Sequence, residues 1–463
     1  MTSSKGKVTL SKGKATSSKE KVTLSKEKAT SSKEKAILNQ NCQKIIQNKK
    51  LNKKMKKSVL KIVAIAALIL TTTSCTFNIH DGMEGGTETA NTHANILSGS
   101  GTLKGNITSD LVIKKGEYTL EGVVKVYGGG RLFIEPGAVF KASPTISSSL
   151  VILQDGKIYA TGTADEPIVF TSGRNTPAAG DWGGITLYGN APIKALNGNT
   201  TAVSEDGNNI TYGGNDANHS SGELKFVRVE YAGKKIGDGT SETNTFTFYS
   251  VGTGTKLENL VAYKGTDDGF EFFGGTASAT NLVAYGNYDD SFDWQDAWQG
   301  QHNKNWFALQ TVTGNFGMEI EASGNIDNTP PKIENITLIR KDNTQPEVPN
   351  SPEISAIQFK KQGSGIFKNV YISGYKNTGT QKAYAVLIQD KTTNDNQATK
   401  QKIKVEPTFH TNSDHLYTWG YATNANWTVA HPFTFTNANV NKVTLPKGAW
   451  ASVNSVDLLS ALD

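Results

Sequence analysis

The sequence predicts an all-β protein in which short parallel strands wind into one solenoid. Two consecutive copies of one pattern carry this prediction, Asn259–Phe272 and Asn281–Trp294, each with two short apolar segments around an acidic turn. Their spacing of about 22 residues is typical of one coil of a β-solenoid. The segments are too short and too rich in β-branched and aromatic residues for helices. We therefore interpret the copies as stacked coils.

Looser copies flank this pair and extend the array. One coil cannot bury its apolar side alone, so several coils must stack to form a core. Asn259, Asn281, Asn335 and Asn369 each open a copy. An Asn side chain can donate to and accept from the equivalent Asn one coil away, at the roughly 4.8 Å spacing between strands, which predicts an asparagine ladder. The looser copies are Phe226–Tyr231, Phe246–Tyr249, Ile333–Ile339, Ile354–Phe359, Phe367–Ser373 and Ala385–Gln389.

At these residues, from about Leu111 to Gln389, the chain resembles the right-handed parallel β-helix, or pectin-lyase-like, superfamily. The resemblance implies a single-stranded right-handed β-helix, to which we assign residues 111–406. Residues 407–463 are predicted to be a capping region that covers the end of the solenoid. Members that cleave acidic polysaccharides pair Ca²⁺-binding carboxylates with a Lys or Arg base, and the hydrolases use clustered Asp residues. No position here matches those motifs residue by residue.

Residues 1–54 form a Lys-, Ser- and Thr-rich leader in which Thr-Ser-Ser-Lys recurs about every 14 residues. Such a composition predicts disorder, and a basic arm for nucleic acid or anionic lipid is the alternative. The residues before Cys75 hold 18 of the 48 Lys and Arg side chains and 3 of the 42 Asp and Glu, so the remainder carries 30 basic and 39 acidic groups. We therefore expect no nucleic-acid partner.

Residues 55–74 are predicted to be a lipoprotein signal peptide. Basic residues precede a short apolar run, and small residues lead to Cys75. Lipidation of Cys75 would attach the protein to a membrane in the cell envelope, which we expect to be the outer membrane, on its periplasmic or its surface face. Thr72 stands where the usual motif has Leu, so an ordinary signal peptide with an incidental Cys is the alternative.

Two further assignments follow from this signal. Translation is expected to begin at Met55, which makes residues 1–54 an over-extended reading of the gene. Residues 75–110 begin with a stretch rich in Gly, Thr and Asn and are predicted to be a flexible tether between lipid and domain.

Strand alternation predicts which side chains leave the core. With Phe272 and Trp294 inward, Glu271 and Asp293 point outward. Stacking then places three carboxylates in register, roughly 5 Å apart. Like charges at that spacing repel unless water screens them, protons neutralise them or a cation bridges them. The predicted outward column is Thr186, Thr247, Glu271, Asp293, Glu319 and Gln358.

Ca²⁺ is the candidate cofactor for these acids because it takes six to eight oxygen ligands. Four further Asp residues stand in the turns just before the two acidic strands. The alternative is that these turn residues cap backbone amides while the outward acids are simply solvated. The candidate ligands are Asp267, Asp268, Glu271, Asp289, Asp290 and Asp293.

Aromatic residues in the same region suggest a sugar-binding surface. Trp298 and Trp306 stand in a looser segment with His302, near Glu319 and Glu321. Exposed rings beside acids suit the stacking of sugars, which present an apolar face and a rim of hydroxyls. We therefore name these five residues as candidate contacts for a polysaccharide or host glycan.

The function we predict is that of a lipid-anchored cell-envelope protein that binds or adheres to glycans. One alternative is a polysaccharide lyase or glycoside hydrolase that uses the acidic turns as acid and base. A lyase base would be Lys264, Arg340 or Lys360, with a lowered pKa. A second alternative is a structural component of the envelope without a small ligand.

Overall fold

The structure, a computed structural model, describes residues 88–236, 241–346, 353–377, 382–411, 415–419 and 438–463. Within them nearly all regular structure is β-strand, which confirms the predicted class. No helix in these ranges is long and apolar enough to cross a membrane. The predictions for residues 1–54, for the signal segment and for Cys75 fall outside the described residues.

Short strands joined by turns account for the fold. Among the described residues the helical segments are single turns at Leu196–Gly198 and Ala449–Ala451 and a longer stretch formed by Lys391–Thr393 and Asn394–Ala398. The strands are β1 (Asn95–Ile107), β2 (Leu111–Val126), β3 (Arg131–Ile134), β4 (Val139–Ala142), β5 (Ser149–Ile152), β6 (Lys157–Thr161), β7 (Ile168–Ser172), β8 (Ile185–Tyr188), β9 (Ala202–Val203), β10 (Thr211–Tyr212), β11 (Gly222–Glu230), β12 (Lys235–Ile236), β13 (Ser241–Glu242), β14 (Phe246–Tyr249), β15 (Lys256–Tyr263), β16 (Phe270–Phe273), β17 (Ala279–Tyr285), β18 (Phe292–Gln295), β19 (Asn303–Gln310), β20 (Met318–Ile320), β21 (Lys332–Arg340), β22 (Glu353–Phe359), β23 (Gly365–Ser373), β24 (Lys382–Ile388), β25 (Ile403–Val405), β26 (Thr408–Thr411), β27 (His415–Trp419), β28 (Ser452–Val453) and β29 (Val456–Asp457).

The coil strands stack in parallel, each on the equivalent strand of the next coil. One face of the solenoid consists of β14, β16, β18 and β20. The other two faces consist of the first and second halves of β15, β17, β19 and β21, because each of these strands bends in the middle. Three pairs, β9–β10, β12–β13 and β28–β29, are short antiparallel hairpins outside the coils. The architecture is therefore the parallel β-helix that the 22-residue pattern predicts.

An asparagine ladder lies at the bend between two faces. Each Asn after Asn259 donates its side-chain amide to the side-chain oxygen of the Asn one coil earlier, over 2.8–3.0 Å. All have left-handed backbone angles, with φ of 55–63°, a conformation that Asn tolerates better than other side chains with a Cβ. The ladder was predicted, and Asn305 is a member that the sequence pattern did not reveal. Its members are Asn259, Asn281, Asn305, Asn335 and Asn369.

The interior of the solenoid is filled by stacked rings. The Phe246 and Phe270 ring centroids are 5.0 Å apart, and those of Phe270 and Phe292 are 5.7 Å apart. These rings are fully buried. Alternation along the same strands leaves the intervening side chains on the outer surface.

The solenoid begins earlier than predicted. β1 lies inside the segment assigned to a tether, residues 75–110, and pairs with β2 from Asn95 to Ile107. The prediction missed it because β1 is a terminal strand, stacked on one side only, and most of its side chains are exposed. A strand of this kind needs few apolar residues, so its pattern resembles that of a linker.

The C-terminal segment 438–463 lies along the side of the solenoid, not over its end as predicted. Its backbone bonds first to β26 through Ala438 and Thr408, and later to Ala164 near β7, each over 2.9–3.0 Å. The reason is an apolar outward column on this face, which includes Val261, Val283 and Phe307 and would otherwise meet water. Segment residues that cover it include Val443, Leu445, Trp450, Leu458 and Leu459.

Asn305→Ala is expected to destabilise the fold by about 3 kcal/mol. It removes two ladder hydrogen bonds, each contributing about 1 kcal/mol. Ala also lacks the polar side chain that makes the left-handed region tolerable for Asn, which costs about 1 kcal/mol more. Asn343→Ala is the matched control, because Asn343 has φ 66° but is exposed and outside the ladder. Denaturant unfolding measures both. Equal losses would show that the ladder bonds contribute no stability.

Candidate functional site

The predicted outward column exists. β16, β18 and β20 pair so that Glu271 lies opposite Asp293 and Asp293 lies opposite Glu319. Thr247 and Thr186 continue the column on one side, and Gln358 continues it on the other. The inward neighbours Phe272 and Trp294 are buried in the core, as alternation requires. Three carboxylates are thus stacked in register on one face.

The turn acids stack beside this column. Asp268 Oδ1 accepts a hydrogen bond from the Asp290 backbone N–H over 3.0 Å, and Asp290 Oδ1 accepts one from the Phe316 N–H over 2.6 Å. Asp268 and Asp290 are almost fully buried, whereas Asp267 and Asp289 are half-buried and line the cleft. Backbone capping, the alternative to Ca²⁺ ligation, therefore describes the second Asp of each pair.

Carboxylate oxygens converge in three groups of three. Within each group the oxygens lie within 4.8 Å of one another. Oxygens at such separations can coordinate one hard cation or share protons. The groups are Asp267, Asp268 and Asp289; Asp268, Glu271 and Asp293; and Asp290, Asp293 and Glu319.

Burial and mutual repulsion raise the pKa of four of these acids well above the usual range. Burial is the larger cause for each, and the next is a neighbouring carboxylate: Asp267 for Asp268, Asp293 for Glu271, Asp289 for Asp290 and Glu319 for Asp293. Asp293 Oδ1 is excluded from solvent and has no hydrogen-bond donor among the described residues. The site is therefore rich in acceptors and short of donors.

A loop, residues 194–214, roofs the column; we call it the roof loop. Asp206 Oδ2 accepts from the Tyr188 hydroxyl over 2.6 Å, and Asp296 Oδ2 accepts from the Tyr212 hydroxyl over 2.5 Å. Glu205 projects from the loop toward Gln295, whose amide nitrogen lies 3.5 Å from the Glu205 carboxylate. Two buried phenol–carboxylate bonds hold the loop in place.

Two lysines close one end of the cleft. Lys360 Nζ lies 2.5 Å from Glu319 Oε2, and Lys361 Nζ lies 2.7 Å from Glu321 Oε2. Burial lowers the pKa of Lys360, but the carboxylates of Glu319, Asp293 and Glu321 outweigh burial and raise it overall. The cleft between roof loop, column and lysines, which we call the acid cleft, has a volume of about 490 Å³.

A family model described as a pectate-lyase like beta helix domain matches residues 105–452. The chain belongs to this family. The crystal structure of the Dettilon tailspike protein (gp208) is similar over 65% of this chain at 8% identity, with a TM-score of 0.26. The chain covers 62% of that tailspike chain, less than two thirds of its length. No curated protein matches the sequence.

The prediction that Trp298 and Trp306 form a binding surface of this beta helix domain is wrong. Their exposed fractions are 1% and 0%, and their indole N–H groups donate to the carbonyls of Ala277 and Ala279. Residues with left-handed backbone angles explain why these two side chains point inward. Asn305 reverses the strand alternation before Trp306, and the turn that ends at Ala297 directs Trp298 inward. Both rings belong to the core.

His302 lies apart from the acid cleft. It is exposed and lines a separate groove of about 220 Å³ with Lys304 and Lys332. Glu319 and Glu321, the other predicted contacts, do line the acid cleft. The structure thus joins two of the five predicted contacts with the predicted metal ligands and excludes the other three residues from that site.

Several cleft residues lie outside the pattern that predicted the column. Asn244 is one that alignment of the coils could have revealed, because Asn244-Thr245-Phe246 stacks on Asp268-Gly269-Phe270. Glu205 and Asp206 lie in the roof loop, which has no period, so no sequence pattern connects them to the column. Lys361 comes directly after Lys360, for which the sequence indicates only the role of a lyase base.

Asp293→Asn is expected to stabilise the protein near neutral pH. The folded-state pKa of Asp293 is raised, so its stabilising contribution is present below the ordinary Asp pKa of about 4 and is lost as pH rises through the folded-state value. The variant cannot ionise there, so its melting temperature should exceed the wild-type value by a few degrees at pH 7 in EDTA and match it near pH 3.

The exposed Asp165→Asn variant controls for loss of one negative charge. Thermal unfolding across this pH range measures all three proteins. The stability of the wild type and of Asp293→Asn should change differently between pH 4 and pH 7. An equal rise in both proteins would contradict the proposed repulsion in the column.

Proposed function

We propose that this protein is a lipid-anchored cell-envelope protein that binds glycans in the acid cleft. The supporting observation is the stacked column of Glu271, Asp293 and Glu319 on the floor of a roofed cleft. Sugars present several hydroxyl donors in a row, and charged acceptors make stronger hydrogen bonds than neutral ones. A floor of regularly spaced carboxylates suits successive hydroxyls of a saccharide.

The charge of the cleft favours neutral glycans. Its lining has nine carboxylates and two lysines, and Lys360 and Lys361 are already within ion-pair distance of Glu319 and Glu321. An anionic polymer would meet net repulsion there, because one divalent cation and two lysines offset only part of the charge that nine carboxylates can carry. The hydrogen bonds that hold the roof loop in place keep the cleft open before binding. The protein therefore loses less entropy on association.

Ca²⁺ is the cation that we propose for this cleft. The three groups of converging carboxylates fit the oxygen ligands that Ca²⁺ prefers, and Asp293 Oδ1 supplies an acceptor that no donor in the described part of the chain uses. Bound Ca²⁺ would supply positive charge that offsets the repulsion among the acids. Asp267, Asp268, Glu271, Asp289, Asp290 and Asp293 are the residues proposed to hold it.

Glycoside hydrolysis is the second candidate. A carboxyl group that stays protonated beside an ionised one is the pairing that glycosidases use, and the raised pKa values of Glu271 and Asp293 favour it. A lyase has less support. A lyase base must give up its proton, whereas the pKa of Lys360 is raised. Burial lowers the pKa of Arg340 to about 10, but its guanidinium is already engaged in hydrogen bonds to Gln310 and to the Gly314 and Thr344 carbonyls.

The glycan proposal predicts that glycan binding depends on Ca²⁺ and on the carboxylates of the column. The full chain should bind neutral oligosaccharides on a glycan array in Ca²⁺ and lose about 10-fold or more in affinity in EDTA. Glu271→Gln/Asp293→Asn/Glu319→Gln should bind at least 10-fold more weakly, because neutral acceptors make weaker hydrogen bonds. Glu258→Gln/Glu334→Gln, which neutralises outward acids of another face, is the control.

Each other result has a distinct meaning. New reducing ends in the incubated sugars would establish hydrolysis. Binding that EDTA leaves unchanged would contradict Ca²⁺ but not the glycan. No binding to any glycan would leave a structural role in the envelope as the better explanation.

Lipid anchoring through Cys75 is tested separately. Wild-type protein should sediment with membranes, and its N-terminal peptide should carry the mass of acyl chains. Cys75→Ser should move to the soluble fraction, since the thiol that would bear diacylglycerol is absent. Cys42→Ser, which changes a codon of the leader, controls for the mutagenesis alone and should behave as wild type whether or not the leader is translated. Membrane attachment of both variants would refute the anchor at Cys75.

A further inference from the structure

A second groove opens beside the acid cleft and differs from it in chemistry. It has a volume of about 540 Å³ and shares Glu205, Gln295, Glu321 and Lys361 with the cleft, so the two are continuous. The rest of its wall is largely apolar. We call it the apolar groove and define it by Ala195, Leu196, Ala202, Tyr212 and Phe273.

Leu196 projects into solvent at the rim of the apolar groove. Its side chain is 67% exposed at the rim of the groove, in the single helical turn of the roof loop. The loop around it is fixed, because Asn325 Nδ2 donates to the carbonyls of Lys194 and Ala195 over 2.8 and 3.0 Å, and the Lys194 N–H donates to Asp296 O over 2.9 Å. The position of Leu196 at the rim of a groove with apolar wall residues, and not its exposure alone, makes it a candidate contact for an apolar part of a ligand.

Among the polar groups that line the groove, Asp296 is already hydrogen-bonded, whereas Glu205 and Lys361 are open to a ligand. Asp296 accepts hydrogen bonds from the Tyr212 hydroxyl at 2.5 Å and from Ser323 Oγ at 2.6 Å, so it serves the protein. At the boundary with the acid cleft, Glu205 is exposed and offers an acceptor. The Lys361 side chain is 61% exposed and offers a donor, although its ammonium also contacts Glu321.

We propose that the apolar groove is a subsite for an N-acetylhexosamine residue of the glycan bound in the acid cleft. This proposal rests on the glycan function proposed above. An acetamido group carries a methyl, an N–H donor and a carbonyl acceptor. The methyl packs on Leu196, Ala195 and Ala202, the N–H faces Glu205, and the carbonyl faces Lys361. The sugar hydroxyls extend toward the carboxylate column.

Other sugars use this wall less completely. A 6-deoxy sugar supplies a methyl but lacks the amide carbonyl for Lys361 and the amide N–H for Glu205. A uronic acid would meet the carboxylates of Glu205 and Glu321. A free amino sugar would be attracted by the acids through charge alone and would leave the apolar wall exposed. The deacetylated sugar therefore distinguishes recognition of the acetyl group from simple attraction of a cation.

The test compares three disaccharides with the same β-1,4 linkage: N,N′-diacetylchitobiose, its deacetylated form and cellobiose. Calorimetry with the full chain in detergent and Ca²⁺ should give at least 10-fold tighter binding of the diacetylated sugar than of either other. Leu196→Ser should weaken that binding about 10-fold, the effect of losing a small apolar contact in a pocket. Val203→Ser, at a roof-loop residue 60% exposed and outside the groove wall, should change nothing.

The outcomes separate this inference from the function on which it rests. Equal affinity for the three disaccharides, tighter binding of the deacetylated one, or equal effects of Leu196→Ser and Val203→Ser would each overturn the subsite. Failure of all three to bind while other neutral glycans do would refute the subsite and leave the acid cleft as a glycan site. Failure of every glycan would refute both.

Discussion

In-register stacking of parallel coils is the constraint on which the rest of this structure depends. Each side chain lies directly above its equivalent in the next coil, so a residue type that recurs must interact with itself. Phenylalanine rings stack in the interior, and asparagines pair at the bend. The same rule brings Glu271, Asp293 and Glu319 together, where identical charge makes the interaction unfavourable. One geometry therefore produces both the most regular stabilising feature and the electrostatic tension in the cleft.

The fold moderates this tension without removing it. Asn244 and Gln295 donate to Glu271, backbone amides donate to Asp268 and Asp290, and Lys360 contacts Glu319. These donors satisfy the acids at the edges of the column more fully than Asp293 at its centre. Charge that the protein leaves uncompensated at one point of a cleft is available to a cation, a proton or the donors of a ligand. The shortage of donors around Asp293 therefore affects the stability of the fold, its dependence on pH and the binding of a ligand.

The predictability of the site follows the periodicity of the chain. The column could be predicted because Phe272 and Trp294 mark the inward positions of two coils one period apart. Trp298 and Trp306 could not be placed correctly, since a single left-handed residue such as Asn305 changes which side chains face inward and alternation does not report it. The roof loop has no period at all, so its contacts with the column depend on the folded structure.

The floor of the acid cleft comes from repeated coils, whereas its roof is a single loop without a repeat, and this difference affects specificity. Hydrogen bonds tie the roof loop to Tyr188 in β8, to Asp296 after β18 and to Asn325 after β20, so one insertion spans several coils. It therefore decides which part of a long column becomes a cleft. Because the column is set by stacking, substitutions such as those at Leu196 or Glu205 can alter what the roof contacts while the floor stays unchanged. A β-helix can in this way acquire a selective site without any change to the coils that stabilise it.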